Sequence, residues 1–235
     1  MKIPVIKSLE TATGEEMVWL RDHRCQKHGH RYTAHFNCYL NDLQAGTAGK
    51  VERIGFLDIE TSNLSPGFGI VLCWCIKDGS SDTVYYDYLT KEDVFSDNED
   101  KRIIESCIGA MKKFDRIVGH YSSRFDIPFL RTRAVMHDNK HALGFPKQGT
   151  LIHTDTWIMA KTKFKFHSNR QNIIAETLFN ETIKTRIDHR AWRRALQGNP
   201  AAIRESLDHC EKDVLELQEN FEAMLPFYRL TKTSI

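Results

Sequence analysis

The run Arg53-Ile-Gly-Phe-Leu-Asp-Ile-Glu60 sets two carboxylates, Asp58 and Glu60, at the end of an otherwise apolar stretch. Period-two alternation makes it a β-strand with both acids on one face and Leu57 and Ile59 on the other. Neighbouring acids on an apolar strand repel one another and resist burial, and a divalent cation removes both costs. The plainer explanation is a strand end with two solvated acids.

The strand is followed by a defined order of elements. Two further strands are expected, at Gly69–Ile76 and Thr83–Tyr88, and the turn-forming residues 77–82 between them predict a hairpin. The spacing of Ile103, Ile104, Cys107, Ile108 and Met111 predicts a helix over 100–113. A short strand over 116–119 comes next, then a helix starting near Phe125 or Asp126 that carries Phe129, Leu130 and Val135. Further helices are expected at 155–163, 169–179, 188–197 and 200–224. A three-strand meander followed by strand–helix alternation gives an α/β fold, a mixed sheet flanked by helices.

Two more segments hold acids in apolar surroundings. In Gly119-His-Tyr-Ser-Ser-Arg-Phe-Asp-Ile-Pro-Phe-Leu130, Asp126 stands at a helix start, with Pro128 tolerated in the first turn. There it also reads as a helix cap. In Leu207-Asp-His-Cys-Glu-Lys-Asp-Val-Leu-Glu216, His209 and Asp213 are four apart and share a helix face. That pair reads equally as an exposed charged turn. Asp155 reads as the cap of the helix that follows it, close to the other acids.

Taken in order, the three segments resemble the DEDD 3′→5′ exonucleases of the ribonuclease H-like superfamily, which include the proofreading domains of DNA polymerases. Asp58-Ile-Glu-Thr61 is similar to the first motif of that family. Phe125-Asp126 with Pro-Phe-Leu behind it is similar to the second, and His209…Asp213 to the third. Lys165-Phe-His-Ser-Asn-Arg170 is similar to the segment preceding the third motif. The resemblance spans roughly 53–225. It implies a ribonuclease H-like five-stranded mixed sheet and phosphodiester hydrolysis by two Mg²⁺ or Mn²⁺ ions about 4 Å apart. Asp58, Glu60, Asp126 and Asp213 would hold the metals, and His209 would orient or deprotonate the attacking water. His209 has the spacing to Asp213 usual for a tyrosine in this family, while Asp208 fills the usual histidine slot. The expected substrate is the 3′ end of single-stranded DNA or RNA, met by Thr61, Ser62, Phe125, Ser168 and Asn169. A structure-selective endonuclease and a non-catalytic nucleic-acid-binding adaptor are the alternatives; four intact acids argue against the adaptor.

The first 46 residues form a separate segment ahead of an expected exonuclease domain over 51–235, with Ala-Gly-Thr-Ala-Gly-Lys at 45–50 as the linker. Four of the eleven histidines fall between His23 and His35. Cys25-x₂-His28 and His35-x₂-Cys38 form two chelating pairs, a candidate structural Zn²⁺ site that reads equally as a histidine-rich loop. His23 and His30 compete as ligands. Basic residues interleave with Phe164 and Phe166 over 161–170, a pattern that suits a single strand and also an ordinary amphipathic segment. The net charge of +2 permits a nucleic-acid partner without demanding one. Six scattered cysteines do not make a disulfide framework. Together with the absence of an apolar leader, they predict a cytoplasmic protein. No run of 18 apolar residues predicts a membrane span.

Overall fold

The structure is a computed structural model that describes residues 3–25, 31–50, 52–185 and 188–235. The chain divides into two compact units, Met1–Glu52 and Arg53–Ile235.

The first unit holds helices α1, Gly14–Asp22, and α2, Phe36–Gln44. Helix α1 starts on a capping box: Glu16 N–H donates to Thr13 Oγ1 (3.3 Å) and Thr13 N–H to the Glu16 carboxylate (2.7 Å). This unit has a small core of its own among the described residues. Trp19, Leu20, Tyr32 and Tyr39 are buried together with Ile6, Cys25, Cys38 and Ala48. Tyr32 and Tyr39 meet edge to face at 5.5 Å, an aromatic geometry that adds to area burial. The 45–50 stretch, expected as a linker, turns back onto this core. Gly49 has φ +66°, and a Cβ there would lie 2.6 Å from the Trp19 ring, so only glycine fits.

The second unit is a mixed five-stranded sheet flanked by helices. Its strands are β1, Ile54–Thr61; β2, Val71–Asp78; β3, Val84–Tyr88; β4, Arg116–Gly119; and β5, Ile152–Asp155, in the order β3-β2-β1-β4-β5. β1 runs antiparallel to β2 and parallel to β4; β2–β3 is antiparallel and β4–β5 parallel. The helices are α3, Lys91–Val94; α4, Lys101–Met111; α5, Asp126–His137; α6, Thr156–Lys163; α7, Gln171–Phe179; α8, His189–Leu196; and α9, Pro200–Met224. Leu57 and Ile59 join Ile103, Ile104, Phe129 and Leu130 in a core on one sheet face. On the other face Phe56, Cys73, Cys75 and Val118 pack with Leu207, Cys210, Val214 and Phe221 of α9. All eight residues of β2 are buried, as expected of a central strand covered on both sides.

Several expectations change in detail. Lys77 and Asp78 belong to β2, and the turn begins at Gly79; the Asp78 carboxylate organises it by accepting from Ser80 N–H (2.9 Å). Val135 points outward at 43% exposure while Ala134 is fully buried, because the helical step from Leu130 reaches the core at the fourth residue. β5, only four residues long, ends on Asp155 and runs directly into α6, so the helix expected from 155 starts at Thr156.

Gly119 ends β4 where the chain turns sharply. A Cβ there would lie 2.4 Å from Cβ of Ser122, whose buried hydroxyl pairs with His153 Nε2 at 2.9 Å. Gly119→Ala is therefore expected to cost about 1–3 kcal/mol by overpacking, read as a lower denaturant midpoint at unchanged slope. A midpoint equal to that of the parent protein would contradict this packing.

Candidate active site

Three elements deliver acids to one place. The alternation of β1 sends Asp58 and Glu60 to the α9 face, where Asp58 pairs in register with Cys75 and Glu60 with Cys73. The register slips between Glu60 and Thr61, so the strand pairing ends just past the second acid. Asp126 is the first residue of α5. It does not cap that helix: the cap position is Phe125, with no side-chain cap bond. His209 and Asp213 lie on the inward stripe of α9, 8% and 2% exposed, which excludes an exposed charged turn.

The side chains converge. His209 Nε2 stands 3.5 Å from Glu60 Oε1 and 3.6 Å from Asp213 Oδ2. Among the described residues, Glu60, His209 and Asp213 place ligand atoms within 4.8 Å of one another, a spacing that fits a metal ion. The geometry therefore admits His209 as a ligand as well as a partner for water. Thr185 Oγ1 sits 2.7 Å from His209 Nδ1 and fixes the ring. Below the acids lie buried thiols, and Cys210 donates to the Asp58 carbonyl at 3.3 Å.

Burial dominates the electrostatics. It raises the proton affinity of Asp58 well above the carboxylate range, and the charges of Asp213, Asp126 and Glu60 add to it. Burial likewise pushes Glu60 up to about 8, with Asp213 adding to the shift. It pushes Asp126 up to about 7, although the Ile59 N–H favours the ionised form. Burial depresses the His209 pKa and keeps the imidazole neutral. Among the described residues, Asp58 Oδ2 and Asp213 Oδ1 are buried without a hydrogen-bond partner. Orphaned carboxylate oxygens of this kind, hard donors beside one imidazole nitrogen, fit a divalent metal ion.

Sequence reasoning missed one cation. Lys184 Nζ pairs with Asp213 Oδ2, and the acids hold its pKa up against burial. Its loop is tied down by Glu216 of α9, which accepts from Thr182 Oγ1 and from Ile183 N–H (3.0 Å). No local pattern marks a loop lysine 29 residues ahead of its partner; only Glu216, an acid on the inward side of α9, hints at something to hold.

The residues expected at the substrate are placed unequally. Ser62 Oγ accepts from Ile70 N–H (2.9 Å) and Thr61 Oγ1 donates to Asn63 O (2.9 Å), so both close the β1–β2 loop. Phe125 is half-buried against Phe129 at 5.6 Å. Ser168 and Asn169 line a cleft of about 400 Å³ that also includes His120, Tyr121, Trp157, Arg170 and Lys184. Phe164 and Phe166, the aromatics of the basic 161–170 stretch, pack against the α9-side core. Asp155 caps α6 through Trp157 N–H (2.9 Å) as expected, and also accepts from Tyr121 N–H (2.9 Å) and Ser123 N–H (3.0 Å).

Of the candidate zinc ligands, His35 Nδ1 lies 3.0 Å from Cys38 Sγ and Cys25 is buried. His28 and His30 lie outside the described residues.

The sheet order and flanking helices define an α/β protein of ribonuclease H-like fold. The chain belongs to the RNase_H superfamily, whose family model matches residues 55–224. Among solved structures, it is similar to the family B DNA polymerase of the hyperthermophilic archaeon Pyrobaculum calidifontis. The two share 19% identity with a TM-score of 0.58, over 75% of this chain and 25% of the polymerase. The chain thus corresponds to about a quarter of that protein's length. No curated protein matches it. Among the described residues, no helix is long and apolar enough to cross a membrane.

Proposed function

We propose that the chain is a metal-dependent 3′→5′ exonuclease acting on single-stranded DNA or RNA. The observation that carries this reading is the buried cluster of Asp58, Glu60, Asp126 and Asp213, in which Asp58 Oδ2 and Asp213 Oδ1 find no hydrogen-bond partner among the described residues. So many acids in so small a volume are hard to explain as structure alone, because Lys184 offsets only one charge. Superfamily membership supports the hydrolytic reading, and the fold likeness to a DNA polymerase is consistent with a nucleic-acid substrate.

Asp58, Glu60, Asp126 and Asp213 would hold two Mg²⁺ or Mn²⁺ ions, which supply Lewis acidity toward phosphate and a water of lowered pKa. The chain's own groups do the rest. His209, neutral and oriented by Thr185, presents Nε2 toward the cluster and accepts a proton from the attacking water, unless it serves as a ligand. Lys184 lines the cleft and can exchange Asp213 for a phosphate oxygen of the strand. Gln171 Nε2 donates to the Asp213 carbonyl (2.8 Å) and steadies that turn of α9. A structural Zn²⁺ held by Cys25, His28, His35 and Cys38 is part of the proposal for the first unit.

A 5′-labelled single-stranded oligonucleotide incubated with Mg²⁺ tests the activity. The expected product is a ladder shortening from the 3′ end. Discrete internal cuts would replace the exonuclease by an endonuclease, and binding without cleavage in either metal would leave an adaptor.

A further inference from the structure

Two aromatic residues in the cleft that includes Lys184 have no task in the hydrolysis itself. Trp157, in the first turn of α6, meets Tyr121 edge to face at 5.3 Å and 75°. Lys161 Nζ lies 4.7 Å and Arg124 Cζ 5.9 Å from the Trp157 ring centroid, both within or at the limit of cation–π range. Tyr121 is 42% exposed, and Arg124 and Lys161 are exposed as well. The corner belongs to the cleft that ends at Lys184, whose ammonium touches Asp213. At about 400 Å³ that cleft falls in the size range of small-ligand sites, enough for one nucleotide.

The corner is also built at a cost. Tyr121 adopts φ +59°, a left-handed conformation that a bulky aromatic residue rarely takes. Asp155 enforces it, since one carboxylate accepts the main-chain N–H groups of Tyr121, Ser123 and Trp157 and so locks both aromatic residues to one anchor. His120 adds a second tie, with its ring nitrogens 2.9 Å from Thr156 Oγ1 and 2.9 Å from the Asn169 carbonyl oxygen. Strain that the surroundings over-determine clusters where groups are held in place for a ligand.

The geometry points to Trp157, edged by Tyr121 and flanked by Lys161 and Arg124, as a stacking subsite for a base of the single strand upstream of the nucleotide being removed. This rests on the nuclease reading of the carboxylate cluster. Aromatic faces interleaved with cations are how single strands are held without sequence preference, because every base offers a π-face and every linkage a phosphate. The residue pattern over 161–170 favours Phe164 and Phe166 for this work. Those rings are packed inward, whereas Trp157 and Tyr121 line the cleft.

The test compares two substrates under Mg²⁺: an oligothymidylate and thymidine 5′-(p-nitrophenyl phosphate), which has no upstream base. Trp157→Ala should lower the ratio of kcat/KM for the oligomer over the ester by about tenfold or more, at the scale of one lost stacking contact. Trp157→Phe should retain most of that ratio, and Lys161→Ala should lower it less. A ratio unaltered in Trp157→Ala, with both substrates slowed alike, would overturn the subsite. A second readout does not depend on turnover. With Ca²⁺ in place of Mg²⁺, oligothymidylate should quench tryptophan fluorescence of the parent protein, and the quench should shrink in Trp157→Phe. Quenching without cleavage of either substrate would support the subsite and remove the nuclease reading; no quench in the parent protein would remove the subsite.

Discussion

Asp58→Asn is expected to abolish metal-dependent cleavage while making the metal-free protein more stable. A metal ligand on the reacting phosphate contributes several kcal/mol of transition-state stabilisation, so the loss in kcat should reach about a thousandfold at roughly 1.4 kcal/mol per factor of ten. The stability change has the opposite sign because Asp58 is a liability to the fold. Its Oδ2 is buried without a partner among the described residues, and three neighbouring acids oppose its ionisation. An amide of the same shape replaces a carboxyl that must hold a proton to stay buried, and can donate to a neighbouring carboxylate. Replacing such a group can stabilise by about 1–2 kcal/mol, which for a chain of this length raises Tm by roughly 2–8 °C. Thermal melts in chelator and an oligonucleotide assay in Mg²⁺ read the two effects. A variant that still cleaves, or that melts lower than its parent in chelator, would sink this role for Asp58.

The second large effect is a dependence of stability on pH that divalent metal reverses. Glu60 titrates at about 8 and Asp126 at about 7 in the folded protein, against ordinary values of 4.5 and 3.8. The folded state therefore holds more protons than the unfolded chain until the pH passes those folded values. Stability falls wherever the folded state is the better proton binder. His209 is shifted downward from 6.5 and acts in the opposite sense below that pH, so the clean window lies above it. Between pH 6.5 and about 8 the metal-free protein should lose on the order of 3 kcal/mol, or roughly 6–12 °C in Tm. On the proposed reading, excess Mg²⁺ or Mn²⁺ should restore the loss at pH 8 by mass action on the ionised cluster. Calorimetry in chelator at the two pH values decides the matter. A melting temperature that is flat or rises with pH would show that the acids ionise freely.

What can be read from the sequence follows from how local each signal is. β1 and α9 are legible because their apolar periods run uninterrupted past the acids, and because Asn199 and Pro200 mark the α9 start. Asp126 cannot be told from a helix cap without knowing that Phe125 occupies the cap position. Lys184 is invisible, since its position depends on Glu216 gripping a loop that carries no periodicity. The aromatic corner is missed because interleaving of rings and cations does not say which rings face out. That depends on α6 and on the strained main chain at Tyr121, which no residue pattern encodes. In the first unit, two nine-residue helices with broken apolar stripes leave nothing periodic to find.

The ammonium of Lys184 on Asp213 bears on the order in which the protein is put together. A nest of buried acids with no cation has to hold protons for the chain to close around it. Here the chain brings its own provisional counter-ion on a loop fastened from the other side by Glu216. On the proposed reading the fold closes without metal, and Lys184 is the group with which a divalent ion competes for Asp213.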